Sequence, residues 1–247
     1  MDVRLVVAGA FLLAIPVLYL LLSSRPNKGS AGGEKEVFTE GLLAALGRFA
    51  LIEYTPTERF ESVTKKVLSK SLESGRQVVL ITQAPRTRIY LEGNIDYVDS
   101  GRLKIVSITS ENPLARLQMF RVGKQQDTVP SEADNTLTNV SINNLEFAVE
   151  IIEGLAPDGV LIFEALSGII LGLGAEKKEA AYKFFSSIVE GLSEKDRTLV
   201  ALLNSGAHEK ETVSAYEGLF MRIFKIDEGR LVSLKCEPEA INIDISG

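Results

Sequence analysis

The chain is short of the residues on which most site chemistry relies. It has one cysteine, Cys236, and one histidine, His208. A single cysteine excludes an internal disulfide framework and every multi-cysteine metal site, so Cys236 reads as a reduced bystander. A single histidine leaves any His–carboxylate or His–nucleophile mechanism with one candidate. Basic residues are the minority, 27 against 33 acidic for a net charge of −6. That balance argues against a general phosphate-backbone binder, and so against a nucleic-acid partner. The glycine period of collagen and the heptads of a coiled coil are missing as well. What is abundant is apolar: 45% of the 247 residues are hydrophobic. This is too much for disorder and enough for one domain of roughly 200 residues plus an appendage.

The appendage is at the N-terminus. From Leu5 to Leu22 the chain reads LVVAGAFLLAIPVLYLLL, 18 residues without a charge. As a helix this run measures roughly 27 Å, against a hydrocarbon core of about 30 Å. Including Val3 and the stem of Arg4 closes the gap, and Pro16 is tolerable within a span. The competing reading is a cleaved signal peptide, whose apolar region is shorter and ends in a small-x-small site. Leu20-Leu21-Leu22-Ser23-Ser24-Arg25 is a poor match to such a site. Residues 3–22 are therefore expected to form a transmembrane helix in a lipid bilayer. Arg25, Lys28 and Lys35 on its C-terminal side favour a cytoplasmic position for the large domain. Residues 23–36 (SSRPNKGSAGGEKE) read as a flexible linker.

Residues 37–236 then alternate between strand and helix patterns, with 237–247 as a C-terminal tail. Arg48–Glu53, Val78–Thr82, Leu103–Ile108, Gly159–Glu164 and Thr198–Leu203 read as strands, and Val78–Thr82 is continuous in its apolar run, as buried parallel strands are. Glu58–Ser74 has helical spacing, with Phe60, Val63, Val67, Leu68 and Leu72 on one face and Gly75 as its stop. Ala175–Leu192 repeats the pattern with Ala181, Phe184, Phe185, Ile188, Val189 and Leu192. Residues 123–138 read as a polar loop and Ile142–Leu155 as a helix. Leu219–Ile226 and Arg230–Lys235, joined around Asp227-Glu228-Gly229, read as a closing hairpin. The expected fold is α/β, a mainly parallel sheet flanked by helices on both faces.

In that order of elements a phosphate-binding loop belongs directly after the first strand. It would need glycines so that backbone amides can approach phosphate, a lysine, and a Ser or Thr for magnesium. The stretch there is Leu51-Ile52-Glu53-Tyr54-Thr55-Pro56-Thr57-Glu58-Arg59-Phe60-Glu61-Ser62, which has neither glycine nor lysine. The chain nevertheless resembles the KaiC-like branch of the RecA fold, including KaiC-related proteins of hyperthermophilic archaea. Leu51-Ile52-Glu53 is similar to that family's LIEG strand, Gly75–Thr82 to its second strand, and Gly101-Arg102-Leu103 to its GRL strand. Gly159–Ser167 (GVLIFEALS) is similar to the Walker B strand and the residues after it. The resemblance implies a RecA-like sheet with a C-terminal hairpin, and a degenerate nucleotide site. Tyr54 stands at the first loop glycine, Arg59 and Phe60 at the second glycine and the lysine, and Glu61 at the magnesium hydroxyl. Ser62 still offers a hydroxyl one residue on. Gln83-Ala84 replaces the family's acid pair, and only Glu164 remains at the Walker B position. Glu53, Glu58 and Glu61 would each repel a triphosphate by about a kcal/mol or more. No nucleotide cofactor, metal or catalytic residue is therefore expected.

Four other stretches carry expectations. His208, with Glu209 beside it, reads as a surface histidine starting a helix. Arg86-Thr87-Arg88 reads as a solvated turn after Pro85. Asn139-Val140-Ser141 matches a glycosylation acceptor, but Ser141 is better placed to cap the next helix. Gly168–Gly174 (GIILGLG) is either an exposed loop at a protein interface or a buried connector. Glu164 itself reads as a strand-end hydrogen bonder rather than a metal ligand. The function expected is a membrane-anchored, catalytically inactive RecA/KaiC-like module that binds a protein partner or self-associates. The alternative is a divergent ATPase, or a small-ligand sensor, using Glu164 at the strand carboxyl end.

Overall fold

The structure, a computed structural model, describes residues 41–109, 137–142, 145–174, 177–235 and 242–244. The expected transmembrane helix and linker, Cys236 and most of the expected tail lie outside the described residues. Among the described residues no helix is long and apolar enough to cross a membrane.

A short helix α1 (Leu42–Leu46) leads into β1 (Phe49–Tyr54), the loop 55–59 and α2 (Phe60–Glu73). Then come β2 (Val78–Gln83), a 3₁₀ turn (Ala84–Arg86), α3 (Thr87–Leu91), α4 (Ile95–Asp99), β3 (Leu103–Thr109) and β4 (Leu137–Ser141). The middle of the domain holds α5 (Glu146–Glu153), β5 (Val160–Phe163), α6 (Leu166–Leu173) and α7 (Lys178–Ser193). It closes with β6 (Thr198–Asn204), a 3₁₀ turn (Ser205–Ala207), α8 (Lys210–Glu217), β7 (Arg222–Asp227), β8 (Arg230–Lys235) and β9 (Asn242–Asp244).

Among the described residues nine strands make one sheet in the order β4-β3-β2-β5-β6-β1-β7-β8-β9. From β4 to β7 every neighbouring pair is parallel. Only β8 and β9 are antiparallel additions. The sheet is mainly parallel because its central strands are apolar throughout: Ala50–Ile52, Val78–Ile81, Val160–Phe163 and Leu199–Leu203 are all buried. Helices cover both faces. One core lies under α1 and α2, where Leu42, Val63, Val67, Leu68 and Leu72 pack on Ala50, Ile52 and Tyr54. The other lies under α5 to α8, where Ile152, Ile170, Phe185, Leu192 and Tyr216 pack on Leu51, Phe163 and Leu203. The expected α2 face is buried in full; on α7, Phe184 and Val189 are only partly buried. The closing hairpin turns through Glu228 and Gly229, both at positive φ (47° and 79°), as a two-residue primed turn requires.

Three stretches differ from the sequence expectation. Residues 137–141 are strand β4, pairing with β3 alone among the described residues, where the sequence reading ends a loop at residue 138 and has Ser141 cap a helix starting at Ile142. Ser141 is the last residue of β4, and α5 begins only at Glu146 with Leu145 in the cap position. Gly168–Gly174 is helix α6 for most of its length, not a loop. Its glycines misled because they mark loops statistically, whereas here Leu166, Ile169 and Ile170 fall on one buried helical face. The sheet also runs on beyond residue 236, since Asn242–Asp244 pairs with β8.

Candidate functional site

The carboxyl ends of β1, β2, β5 and β6 converge where an open α/β sheet offers its crevice. One strand, β6, separates β1 from β5, so the loop after β1 and Glu164 after β5 share that end. The loop is closed on itself. The Thr55 backbone N–H donates to the Glu58 carboxylate, and the Glu58 N–H donates to the Thr55 carbonyl at 3.0 Å. Glu58 thus takes an amide that a phosphate-binding loop would offer to its ligand. Ser62 turns its hydroxyl back onto the Arg59 carbonyl at 2.7 Å, and Arg59 is exposed.

Aromatic rings fill the space above. Tyr54 and Phe60 are buried and stacked, with centroids 4.2 Å apart at 26°. Burial pushes the Tyr54 phenol up to about 12. The Arg86 guanidinium lies over the Phe60 ring, 4.5 Å from its centroid. Its Nη1 donates to Glu164 Oε1 at 3.2 Å and to Gln83 Oε1 at 3.3 Å, and its Nε is 3.7 Å from Glu61 Oε1. Glu164 is 1% exposed and accepts a second hydrogen bond from Thr82 Oγ1 at 3.1 Å. Burial raises its carboxyl above the usual range; Tyr90, Arg86 and Thr82 pull it part of the way back. Tyr90 is wholly buried beside Glu164, and its phenol is raised by that burial and by the adjacent carboxylate.

Tyr54, Phe60, Glu61 and Glu164 thus form one assembly, and Glu164 is a hydrogen-bonded strand end as expected. Two expectations fail. Arg86-Thr87-Arg88 is not a solvated turn: Arg86 is the centre of the assembly, and buried Thr87 donates to Ser107 Oγ at 3.0 Å. Only Arg88 is a surface residue, paired with Glu92. No local pattern marks Arg86, because its partner Glu164 is 78 residues away. Glu53, in turn, does not fringe the loop. Tyr54 faces α2, so strand alternation turns Glu53 to the other face, with Leu51.

On that face Glu53 is 6% exposed and its Oε1 has no hydrogen-bond partner. Burial first, and the neighbouring Glu217 carboxyl second, push Glu53 up to about 7; Ser205 and Lys225 pull the other way. A raised carboxyl stabilises the fold while protonated and loses that contribution as pH climbs through its folded value. The Glu53 contribution to stability should therefore fall by about 2 kcal/mol between pH 5 and pH 8. Glu53→Gln should flatten this slope in urea unfolding followed across that range; an equal slope in the variant would refute the assignment.

His208 immediately precedes the Glu209 cap of α8 and lines a separate hollow of about 160 Å³ with Lys178 and Glu209. Burial and the Lys178 charge lower its pKa. Among the described residues no group of three or more His, Cys, Asp or Glu side chains converges to hold a metal ion.

No protein-family model matches the sequence, and no curated protein matches it. Solved structures do. PH0250 of Pyrococcus horikoshii superposes with a TM-score of 0.54 at 16% identity, over 81% of this chain and 93% of that one. PH0321 of the same organism, solved in complex with an unknown peptide, gives 0.51 at 14%, over 76% and 84%. A KaiC-like protein, PH0186, is matched at 0.46 and 11%, over 79% and 83%. The chain shares the fold of PH0250 and PH0321, here a mainly parallel α/β sheet with an antiparallel C-terminal hairpin. That sheet places the loop after β1 and the acid after β5 around one crevice, which holds Tyr54, Phe60 and Arg86.

Proposed function

We propose that the chain is a membrane-anchored, catalytically inactive RecA/KaiC-like module that works by binding a protein partner or by self-association. The observation that carries this reading is the place of Arg86. Its guanidinium pairs with Glu164 and Glu61 and caps the Tyr54–Phe60 stack. The acid that would position magnesium or water is thus already occupied, and aromatic rings fill the space near it. The Thr55 amide is likewise spent on Glu58. A polyphosphate entering here would have to displace an ion pair and two buried rings, with no glycine-freed amides to receive it. Anchoring is supported by the 18 uncharged residues Leu5–Leu22, and the excess of Arg25, Lys28 and Lys35 supports a cytoplasmic domain.

Titration of the full chain in detergent micelles with MgATP, followed by calorimetry, should give no saturable heat into the millimolar range. No turnover should be detected, and Glu164→Ala should leave that unchanged. Micromolar affinity would overturn the proposal. Turnover abolished by Glu164→Ala would make the chain a divergent ATPase instead.

A further inference from the structure

A second hollow, of about 450 Å³, opens at the carboxyl ends of β2 and β3 against α6. This is within the size range of small-molecule sites. Ile108, Ile142 and Leu171 form much of its wall, and among the described residues that line it none is charged. Its floor is backbone, because Gly168 and Gly172 fall one turn apart on the side of α6 that faces it. A Cβ on Gly168 would sit 1.6 Å from Gln83 Nε2 and 2.7 Å from its Cδ, so the Gln83 side chain packs with its amide nitrogen against the helix backbone there.

The orientation of that amide is set by Arg86. A guanidinium only donates, so the Gln83 atom facing it is Oε1. The NH₂ group is left against Gly168, on the side of the hollow. The hollow is therefore apolar, uncharged and furnished with a fixed donor. An anion would be desolvated here without a counter-ion, since Arg86 is already committed to Glu164, Glu61 and Gln83 Oε1.

We propose that this hollow binds a small neutral molecule, largely apolar and bearing a carbonyl oxygen that accepts a hydrogen bond from the Gln83 side-chain amide. Occupancy reaches the Arg86 assembly through that same side chain. The proposal rests on reading the neighbouring crevice as a non-catalytic site, and the two fail separately: nucleotide turnover overturns that reading, whereas neutral-ligand binding is measured without nucleotide.

The probes are hexanamide and hexanoate, alike in size and different in charge, titrated into the full chain by calorimetry and ligand-observed NMR. Hexanamide should bind saturably and hexanoate at least tenfold more weakly. Leu171→Asp, at a side chain 58% exposed, should weaken hexanamide at least tenfold without moving the unfolding midpoint. Gly172→Ala, whose Cβ would come 2.5 Å from Ile142 Cδ1, should weaken it by narrowing the hollow. No saturable hexanamide binding, equal or tighter hexanoate binding, or full affinity in both variants would overturn the proposal.

Discussion

Arg86→Met is expected to lose about 3 kcal/mol of stability at pH 8, because it strands a buried carboxylate. Arg86 keeps a side-chain exposure of 29% while Glu164 has none, so solvent screens part of the pair, and the loss belongs at the lower end for a broken buried ion pair. The sign of the pH dependence is set by Glu164. Its carboxyl is already raised by burial, and without Arg86 it rises further. A protonated Glu164 needs no counter-charge, so the variant's deficit should shrink as pH falls toward the unfolded carboxyl range and grow as pH rises. The double variant Arg86→Met/Glu164→Gln should recover most of the loss. Urea unfolding of the four proteins of this cycle at pH 5 and pH 8 measures the coupling. A deficit independent of pH, or no recovery in the double variant, would mean that Arg86 serves mainly as a lid on the Phe60 ring.

Arg197→Met should cost more, about 4 kcal/mol, although it lies far from any site chemistry in sequence. Arg197 is 5% exposed and precedes β6. Its guanidinium donates to the carbonyls of Ile152 at 3.1 Å, Glu153 at 2.8 Å and Ala156 at 3.3 Å, and also to that of Leu155. These are acceptors at the C-terminus of α5 and in the adjoining turn; Ile152 and Ala156 also accept the Leu155 and Gly159 N–H groups. Methionine matches the volume but removes all four bonds and takes from the Glu153 and Leu155 carbonyls the Arg197 donor. Arg197→Lys should recover less than half of the loss, since one ammonium cannot span what a planar fork spans. Chemical unfolding monitored by circular dichroism decides it; a lysine variant as stable as wild type would show that charge, not geometry, matters there.

Both effects turn on residues that carry no local sequence signal, and for one reason. Strands β1, β2, β3, β5 and β6 were legible because each is short and predominantly apolar, rich in Val, Ile and Leu, as a strand in the middle of a buried sheet requires. Helices α2 and α7 were legible because their apolar spacing repeats every turn. Strand β4 was not: Leu-Thr-Asn-Val-Ser is half polar, and an edge strand pairs on one side only, so it carries little signal of its own. The short helices α3 and α4 are likewise too brief to show a period. Helix α6 was hidden by glycines whose purpose is visible only against Gln83 and Ile142.

The same division runs through the site. Composition and pattern alone determined the class of fold, the order of its apolar strands and two long helices, and the absence of glycine and lysine from the loop after β1. These are local properties, carried by residues close together in the chain. Only the tertiary structure decided that Arg86 bridges Glu61 to Glu164, that Phe60 stacks on Tyr54, and that Glu53 turns to the opposite face with Glu217. Those are meetings between side chains that sheet order and strand alternation bring together, and most of them join segments tens of residues apart, beyond the reach of any local pattern.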